Sequence, residues 1–166
     1  MDAEHGEILM NGDRVQRSLK RIAFQISEAN RAALPVMLIG INRRGHVVAR
    51  RLAEYLSPLY DTEVMVRQLD LEEGALTGED PDEDHFIVLA DDVIFSGHTM
   101  FQALSLLAER LQPKEVHTVT LIDRGHRKMP VEAQFCGLTI PTKLNEHVRV
   151  NVEEDAIRNV ELTRGV

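Results

Sequence analysis

Three stretches of the chain, residues 13–31, 46–57 and 100–111, carry apolar residues at the spacing of a helix. In the first stretch the apolar positions stand at offsets of 0, 4, 7 and 11, and they are Val15, Leu19, Ile22 and Ile26. This spacing brings all four side chains onto one face of a helix. We therefore predict three helices, the first of them with a distinct apolar stripe.

Apolar runs between and after these stretches predict strands at residues 36–41, 64–70, 86–90 and 116–123. The run FIVLA is apolar at every position, as expected for a strand that is covered on both faces. Two shorter strand candidates, residues 147–152 and 160–162, lie near the end of the chain. Because helices and strands alternate, we predict an α/β fold with a mostly parallel central sheet flanked by helices.

The chain of 166 residues has the usual length of one domain and contains no internal repeat or linker, so we predict a single domain, residues 1–166. Its apolar runs are all shorter than the roughly 20 residues that a membrane span requires. The single cysteine, Cys136, excludes an internal disulfide. These features predict a cytoplasmic protein without a membrane segment.

The net charge of −8 is concentrated in one segment, residues 71–85, which holds seven carboxylates and no Lys or Arg. The rest of the chain has 20 acidic and 19 basic residues, a net charge of −1. Gly74, Gly78 and Pro81 interrupt the acidic segment, so we predict a mobile loop there. The overall negative charge argues against non-specific binding of nucleic acid, which depends on the neutralisation of phosphates.

Two polar turns, Asn42–Gly45 and Asp91–Thr99, directly follow predicted strands. In parallel sheets, ligands bind beyond the carboxyl ends of the strands. The sequence therefore directs attention to these two turns.

The second turn combines two carboxylates with a small, hydroxyl-rich segment. Asp91 and Asp92 need partners at a strand end, and sugar hydroxyls or a hydrated cation would supply them. The residues that open the next helix are suited to a phosphate group through their N–H groups and hydroxyls: Ser96, Gly97, His98 and Thr99. This combination predicts a ribose 5-phosphate site, whereas the alternative is that the same residues only cap a turn and a helix.

The string FIVLADDVIFSGHT, residues 86–99, resembles the phosphoribosyl-pyrophosphate (PRPP) motif of type I phosphoribosyltransferases. Residues 36–56 are similar to the pyrophosphate-loop strand and helix of the pyrimidine-operon attenuator / uracil phosphoribosyltransferase family. LIDRGHRKMP and FCGLTIPT, residues 121–130 and 135–142, resemble the base-binding hood of that family. The resemblance implies the type I phosphoribosyltransferase fold, with a core over residues 8–123 and a small hood over residues 124–162.

The resemblance also implies roles for individual residues. Asp91 and Asp92 would hold the ribose hydroxyls and Mg²⁺, the latter through water, and with Arg44 they would be the catalytic residues. The residues that would bind the 5-phosphate are Ser96, Gly97, His98 and Thr99. Those that would meet the pyrophosphate are Asn42, Arg43, Arg44 and Gly45. Those that would line the base pocket are Asp123, Arg124, Phe135 and Cys136, where Phe135 either stacks on the base or belongs to the core of the hood.

The reaction that the resemblance implies is attack of a uracil nitrogen on the anomeric carbon of PRPP. This reaction gives UMP and pyrophosphate, serves pyrimidine salvage, requires Mg²⁺ and needs no covalent nucleophile. The family also implies a homodimer or a larger homo-oligomer.

Three departures from the family pattern bear on this expectation. Asn42-Arg43 stands where the family usually has Lys-Thr, although Arg44 and Gly45 match. An acidic loop over residues 71–85 would be unfavourable as a lid on anionic PRPP, so it predicts less efficient catalysis.

Phe24 and Glu132 replace polar or basic residues of the RNA-attenuating members, so we do not expect RNA binding, although Arg127 matches. Two alternatives stay open at this point. The first is a nucleotide-sensing regulator of pyrimidine genes with weak or no catalysis. The second is a purine phosphoribosyltransferase, against which Asp123 speaks, because an ionised carboxylate cannot donate to the ring oxygen of a purine.

Overall fold

The computed structural model describes residues 6–165, which form nine strands, three α-helices and one short 3₁₀ helix. In chain order the elements are β1 (Glu7–Met10), α1 (Gly12–Ala29), β2 (Val36–Ile41), α2 (Asn42–Leu56), the 3₁₀ helix (Ser57–Leu59), β3 (Met65–Asp70), β4 (Ala75–Leu76), β5 (Phe86–Ile94), α3 (His98–Leu111), β6 (His117–Asp123), β7 (Phe135–Thr139), β8 (Glu146–Glu153) and β9 (Ala156–Arg164). None of the helices within residues 6–165 is long and apolar enough to cross a membrane.

Six strands form the central sheet in the order β4-β3-β2-β5-β6-β7, and three form a small second sheet in the order β1-β9-β8. In the central sheet β2 pairs in parallel with β3 and β5, and β6 pairs in parallel with β5 and β7. Only the two-residue β4 runs antiparallel to its neighbour. The predicted α/β fold with a mostly parallel sheet is therefore confirmed.

Helices cover both faces of the central sheet and enclose two apolar cores. The predicted stripe of α1 is buried and packs with the apolar residues of α2 against one face. On the other face, α3 buries Met100, Ala103 and Leu107 against β2 and β5. Because both faces are covered, every residue of β2 is buried, which explains its uninterrupted apolar sequence.

Helix α2 begins immediately after β2, at Asn42, whereas the sequence predicted a turn over residues 42–45 and a helix from residue 46. Two glycines explain how closely this helix lies on the sheet. A Cβ on Gly40 would lie 2.2 Å from His46 Cα, and one on Gly45 would lie 2.5 Å from the Ala90 carbonyl oxygen. The absence of both side chains lets the first turn of α2 rest against β2 and β5.

Strand β5 is longer than the apolar run that predicted it, because it continues through both aspartates to Ile94. The continuation is paired with β6, with Val93 opposite Ile122 and Ile94 opposite Asp123. Ladder pairing with β6 thus overrides the local tendency of two aspartates to end a strand.

The acidic segment, residues 71–85, contains the two-residue strand β4 within the loop that its composition predicted. It turns back at the carboxyl end of β3 as a hairpin whose second strand, β4, pairs with Leu69 and Asp70. Arg67, which is 1% exposed, anchors the returning chain by donating to the carbonyl oxygens of Thr77 (2.6 Å) and Gly78 (3.2 Å). Its Nη2 also lies 3.0 Å from Asp80 Oδ1. Residues 80–85 then lie near the amino ends of β2 and β5, against Met37 and Ile87.

Besides β4, the sequence pattern missed two strands, and they change the expected division into core and hood. β7, residues 135–139, extends the central sheet although it was assigned to the hood. β1, residues 7–10, joins the small sheet with β8 and β9. The small sheet therefore combines the two ends of the described chain, and we refer to it as the hood.

Candidate functional site

A cleft of about 390 Å³ lies where the hood faces the carboxyl ends of the central strands. It is lined by residues of α2, β5, β8 and β9, namely Arg44, Asp92, Val93, His147, Val148, Arg149, Val150 and Thr163. The cleft therefore brings Arg44 of the first predicted turn together with Asp92 of the second. Arg44 follows β2, and Asp92 lies near the carboxyl end of the neighbouring parallel strand β5, which is where ligands bind in such sheets.

The two aspartates differ in their surroundings. Asp92 is half-buried and lines the cleft, whereas Asp91 is 7% exposed. Each carboxylate accepts the next backbone N–H, at 2.8 Å from Asp92 N to Asp91 Oδ1 and from Val93 N to Asp92 Oδ1. Burial, and then the nearby charge of Asp92, raise the pKa of Asp91 well above its usual range. A cation or a hydroxyl-bearing ligand at Asp92 would relieve this repulsion.

The segment Phe95–Thr99, here called the phosphate turn, connects β5 to α3. Gly97 has a φ of 85°, a left-handed conformation that glycine adopts without a steric penalty, and it precedes the first residue of α3. His98 and Thr99 occupy the first helical positions and are exposed. The turn therefore presents N–H groups of a helix N-terminus a few residues beyond Asp92, and that of His98 lies 3.4 Å from Ser96 Oγ. Such groups are what an anionic phosphate requires.

The Asn42–Gly45 segment forms the first turn of α2. Asn42 has a φ of 53°, which asparagine tolerates better than most residues, and its side-chain oxygen accepts a hydrogen bond from Leu71 N at 3.0 Å. Arg43 is exposed, and Arg44 donates to the carbonyl oxygen of Val150 in the hood. The replacement of the usual lysine by Asn42 therefore serves the start of the helix and the base of the acidic hairpin.

The predicted base-pocket residues Asp123 and Arg124 are engaged within the protein. Asp123 accepts two hydrogen bonds from Arg127, at 2.9 and 2.7 Å. Arg124 is 6% exposed, donates to Thr142 and to the carbonyl oxygen of Glu146, and has its Cζ 4.2 Å from the centre of the Phe95 ring. Burial lowers the pKa of Arg124. This arginine therefore connects the phosphate turn to the chain that enters the hood.

The predicted site residues Phe135 and Cys136 do not line the cleft, although Cys136 and Asp91 pair with the same residue of β6, Thr120. Phe135 pairs with Val119 near the beginning of β6, is 6% exposed and belongs to the apolar core. The carbonyl oxygen of Cys136 accepts a hydrogen bond from Arg21 of α1 at 3.1 Å. Both residues stand at the amino end of β7, so this geometry favours the core interpretation of Phe135 over stacking on a base.

Sequence reasoning missed the residues that the hood contributes to the cleft, above all His147, Arg149 and Thr163. The alternation of residues 147–152 predicted a strand but carried no information on what the strand faces. His147 has the only ring among the residues that line this cleft. No local motif could have found it, because the closure of the hood over β5 is a tertiary contact.

A divalent cation would find oxygen ligands at this site. Among residues 6–165 no group of three or more His, Cys, Asp and Glu side chains is arranged to hold a metal ion. Mg²⁺, however, is usually held by one or two carboxylates together with water and substrate phosphates. Asp91 and Asp92 have the donor chemistry for that arrangement.

A family model described as "Phosphoribosyl transferase domain" matches residues 5–155. The chain belongs to the phosphoribosyltransferase family. The predictions that it is a glycosyltransferase of this type and that it has the type I fold are thereby confirmed, and the family implies PRPP and a base as substrates.

Curated relatives support the resemblance to the pyrimidine-operon attenuator branch of the phosphoribosyltransferases, which is also confirmed. A protein named "Bifunctional protein PyrR" from Herpetosiphon aurantiacus is 38% identical, with 88% of this chain and 89% of the relative covered. Another of that name from Thermus aquaticus is 37% identical, with 93% of each chain covered. Among solved structures, a hypoxanthine phosphoribosyltransferase from Trypanosoma cruzi in complex with IMP superimposes with a TM-score of 0.78. It is 18% identical, and the match covers 99% of this chain and 94% of that one, so it shows the fold alone.

Proposed function

We propose that the chain is an Mg²⁺-dependent uracil phosphoribosyltransferase that forms UMP and pyrophosphate from uracil and PRPP in the cytoplasm. The observation that carries the proposal is the meeting of Asp92, Arg44 and the phosphate turn at one edge of the sheet. The similarity to proteins named PyrR favours a pyrimidine over a purine.

In this proposal the chain acts by positioning and by electrostatics. The phosphate turn would hold the 5-phosphate, and Asp92 would accept hydrogen bonds from the ribose hydroxyls, which fixes the anomeric carbon at the cleft. A uracil nitrogen forms the new bond to that carbon while the bond to the pyrophosphate oxygen breaks, and the proton of the nitrogen passes to the departing pyrophosphate. Arg44 would leave the Val150 carbonyl oxygen and pair with the departing pyrophosphate. Bound Mg²⁺ would add positive charge on the diphosphate.

The base would lie in the part of the cleft next to the hood. Val93 and Val148 provide apolar contacts there, and His147 provides a ring on which a planar base can stack. This assignment replaces the stacking role that was one option for Phe135. His147→Ala is expected to raise the KM for uracil more than the KM for PRPP, because the ring contacts only the base.

A steady-state assay with labelled uracil, PRPP and Mg²⁺ tests the proposed activity. Asp92→Asn should lower kcat/KM about a hundredfold, the usual effect of losing one electrostatic group of an active site. Asp61→Asn, which alters an exposed carboxylate outside the cleft, serves as the matched control. Failure to form UMP at high enzyme concentration would refute the proposal, and orotate, hypoxanthine and guanine in parallel reactions would reveal another base. Stabilisation against heat by UMP but not by IMP or GMP provides a second comparison.

A regulatory RNA-binding function is the alternative, and the word "Bifunctional" in the names of the relatives favours it. α1 exposes Arg17, Lys20 and Phe24 along a shallow groove. Glu132 and the net charge of −8 oppose binding to a polyanion. Titration with leader RNA of the chain's own operon, with and without UMP at several salt concentrations, tests whether the chain binds RNA. Salt-dependent binding that UMP strengthens would establish the second function.

A further inference from the structure

We propose that Asp123 and Arg127 form a positioning pair that holds the phosphate turn in its binding shape, so that Asp123 serves the phosphate subsite and does not bind the base. The kinetic consequence of this inference rests on the proposed function. The geometry that supports it does not depend on the identity of the substrate.

The guanidinium of Arg127 joins three segments of the chain. Its two terminal nitrogens donate to the two carboxylate oxygens of Asp123 at 2.9 and 2.7 Å, which is the bidentate geometry of a strong charge-assisted pair. Nη1 also donates to the Phe95 carbonyl oxygen at 3.0 Å, and Nε donates to that of Val131 at 2.8 Å. Arg127 therefore connects the end of β6, the start of the phosphate turn and the loop after β6.

The loop after β6 supports the phosphate turn directly. The carbonyl oxygen of Ser96 accepts hydrogen bonds from Lys128 N at 2.8 Å and from Met129 N at 3.0 Å. A Cβ at Gly97 would lie 2.6 Å from Val131 Cγ2, so the turn and the loop are in close contact. Any change in the loop that Arg127 shapes would thus be transmitted to the turn.

Asp123 has little capacity left for a base. Besides the two bonds from Arg127, its Oδ1 accepts one from Gly125 N at 3.0 Å. These three donors occupy most of the roughly four acceptor positions of a carboxylate. The side chains of Asp123 and Arg127 are 21% and 22% exposed, so the pair is shielded from water more than a surface ion pair. In the sheet Asp123 lies opposite Ile94, two residues before Ser96, which fixes the pair beside the phosphate turn.

Loss of Arg127 would have two effects on phosphate binding. The turn would lose an anchor at Phe95, and Asp123 would become an uncompensated negative charge near a dianionic phosphate. Arg127→Ala should therefore raise the KM for PRPP roughly 10- to 100-fold, as expected for charged hydrogen bonds, and change kcat much less. The double variant Asp123→Asn/Arg127→Ala should recover part of the affinity, because the exposed carboxylate is removed. Arg127→Lys should be intermediate, because lysine keeps the charge without the planar fork.

The experiment combines steady-state kinetics with amide hydrogen exchange of the full-length protein. Exchange at Lys128 and Met129, whose N–H groups donate to the Ser96 carbonyl oxygen, reports the order of the turn and is measured with and without ribose 5-phosphate. Arg158→Ala is the matched control, since it removes an arginine whose partner is Glu153 in an ion pair with both side chains more than half exposed. The expected result is amide exchange at the turn that is about tenfold faster in Arg127→Ala and unchanged in Arg158→Ala. The KM for PRPP should rise in Arg127→Ala alone.

Each outcome bears on the proposal. Unchanged exchange in Arg127→Ala would overturn it, as would faster exchange with an unchanged KM for PRPP in an active enzyme. A wild-type protein that turns over no base would refute the proposed function only. In that case the positioning role is supported if ribose 5-phosphate slows amide exchange at the turn in the wild type but not in Arg127→Ala. It is overturned if ribose 5-phosphate slows this exchange in both proteins, or in neither.

Discussion

Gly97→Ala is expected to destabilise the protein and weaken PRPP binding through two separable steric effects. An alanine at a φ of 85° incurs about 1–2 kcal/mol for the left-handed conformation. Its Cβ would also lie 2.6 Å from Val131 Cγ2, and such overpacking costs typically about 1–3 kcal/mol. The free energy of unfolding should therefore fall by roughly 2–5 kcal/mol, the sum of the two terms.

A matched control separates the two effects. Gly74 has a φ of 64°, but a Cβ added there would meet no atom within 4 Å, so Gly74→Ala should lose only the conformational term of about 1–2 kcal/mol. Val131→Ala removes the clashing methyl group, and in a double-mutant cycle with Gly97→Ala it should show a favourable coupling of about 1–3 kcal/mol.

Urea unfolding of the four variants and the wild type measures these free energies, and the KM for PRPP reports the turn. Zero coupling between Gly97→Ala and Val131→Ala, or equal losses for the two glycine variants, would refute the steric argument. Either result would also argue against the close contact between the phosphate turn and the loop after β6, which is part of the support for the positioning role of Arg127.

Three further predictions follow from burial and charge. Because the pKa of Asp91 is raised in the folded state, folding retains a proton that the unfolded chain releases, and stability falls as pH rises above the ordinary carboxyl range. Asp91→Asn should therefore have a higher Tm than the wild type by a margin that grows as the pH rises above the ordinary carboxyl range, and a constant margin contradicts this. Arg44→Ala should raise the KM for PRPP at least roughly tenfold, since one charged hydrogen bond to the diphosphate is lost, while UMP affinity, measured by calorimetry, stays within a factor of about three. Arg67→Met should release the acidic hairpin, which is measured as faster proteolytic cleavage within residues 71–85, and uncut protein under conditions that cleave denatured chain would argue against this anchor.

The sequence was informative wherever local pattern and tertiary structure agree. The apolar run at residues 36–41 became a strand with every residue buried, and the stripe of α1 became the face that packs on the sheet. The motif at residues 91–99 correctly placed carboxylates and a phosphate turn at the carboxyl edge of the sheet. These features depend on neighbours in the sequence, so period and motif sufficed to predict them.

The remainder depends on contacts between distant residues. The acidic segment looked like a loop because the anchor, Arg67, lies in another strand and carries no sign of its role in the sequence. The pairing of Asp123 with Arg127 was not visible in the sequence, because it requires a turn that composition does not specify. The residues of β8 that line the cleft depend on how the hood closes, which no spacing within residues 147–152 encodes.

The acidic hairpin also removes the main objection to catalysis that the sequence raised. The segment was expected as a lid over PRPP, but five of its seven carboxylates, at residues 79–84, follow β4 on the returning chain. The four carboxylates within residues 80–84 lie near the amino ends of β2 and β5, at the opposite end of the sheet from the cleft. The unfavourable charge is therefore mostly displaced from the substrate.

The hairpin and α1 together also decide how copies of this protein can associate. Outer strands of a sheet expose unpaired backbone groups on which another chain can add a strand. Here one outer strand is only the two residues of β4, followed by a charged chain fixed to Arg67. At the other edge, Arg21 donates to the carbonyl oxygens of Cys136 and Gly137 in β7, at 3.1 and 2.8 Å. Continuation of the central sheet from one molecule into another is thus disfavoured at both edges.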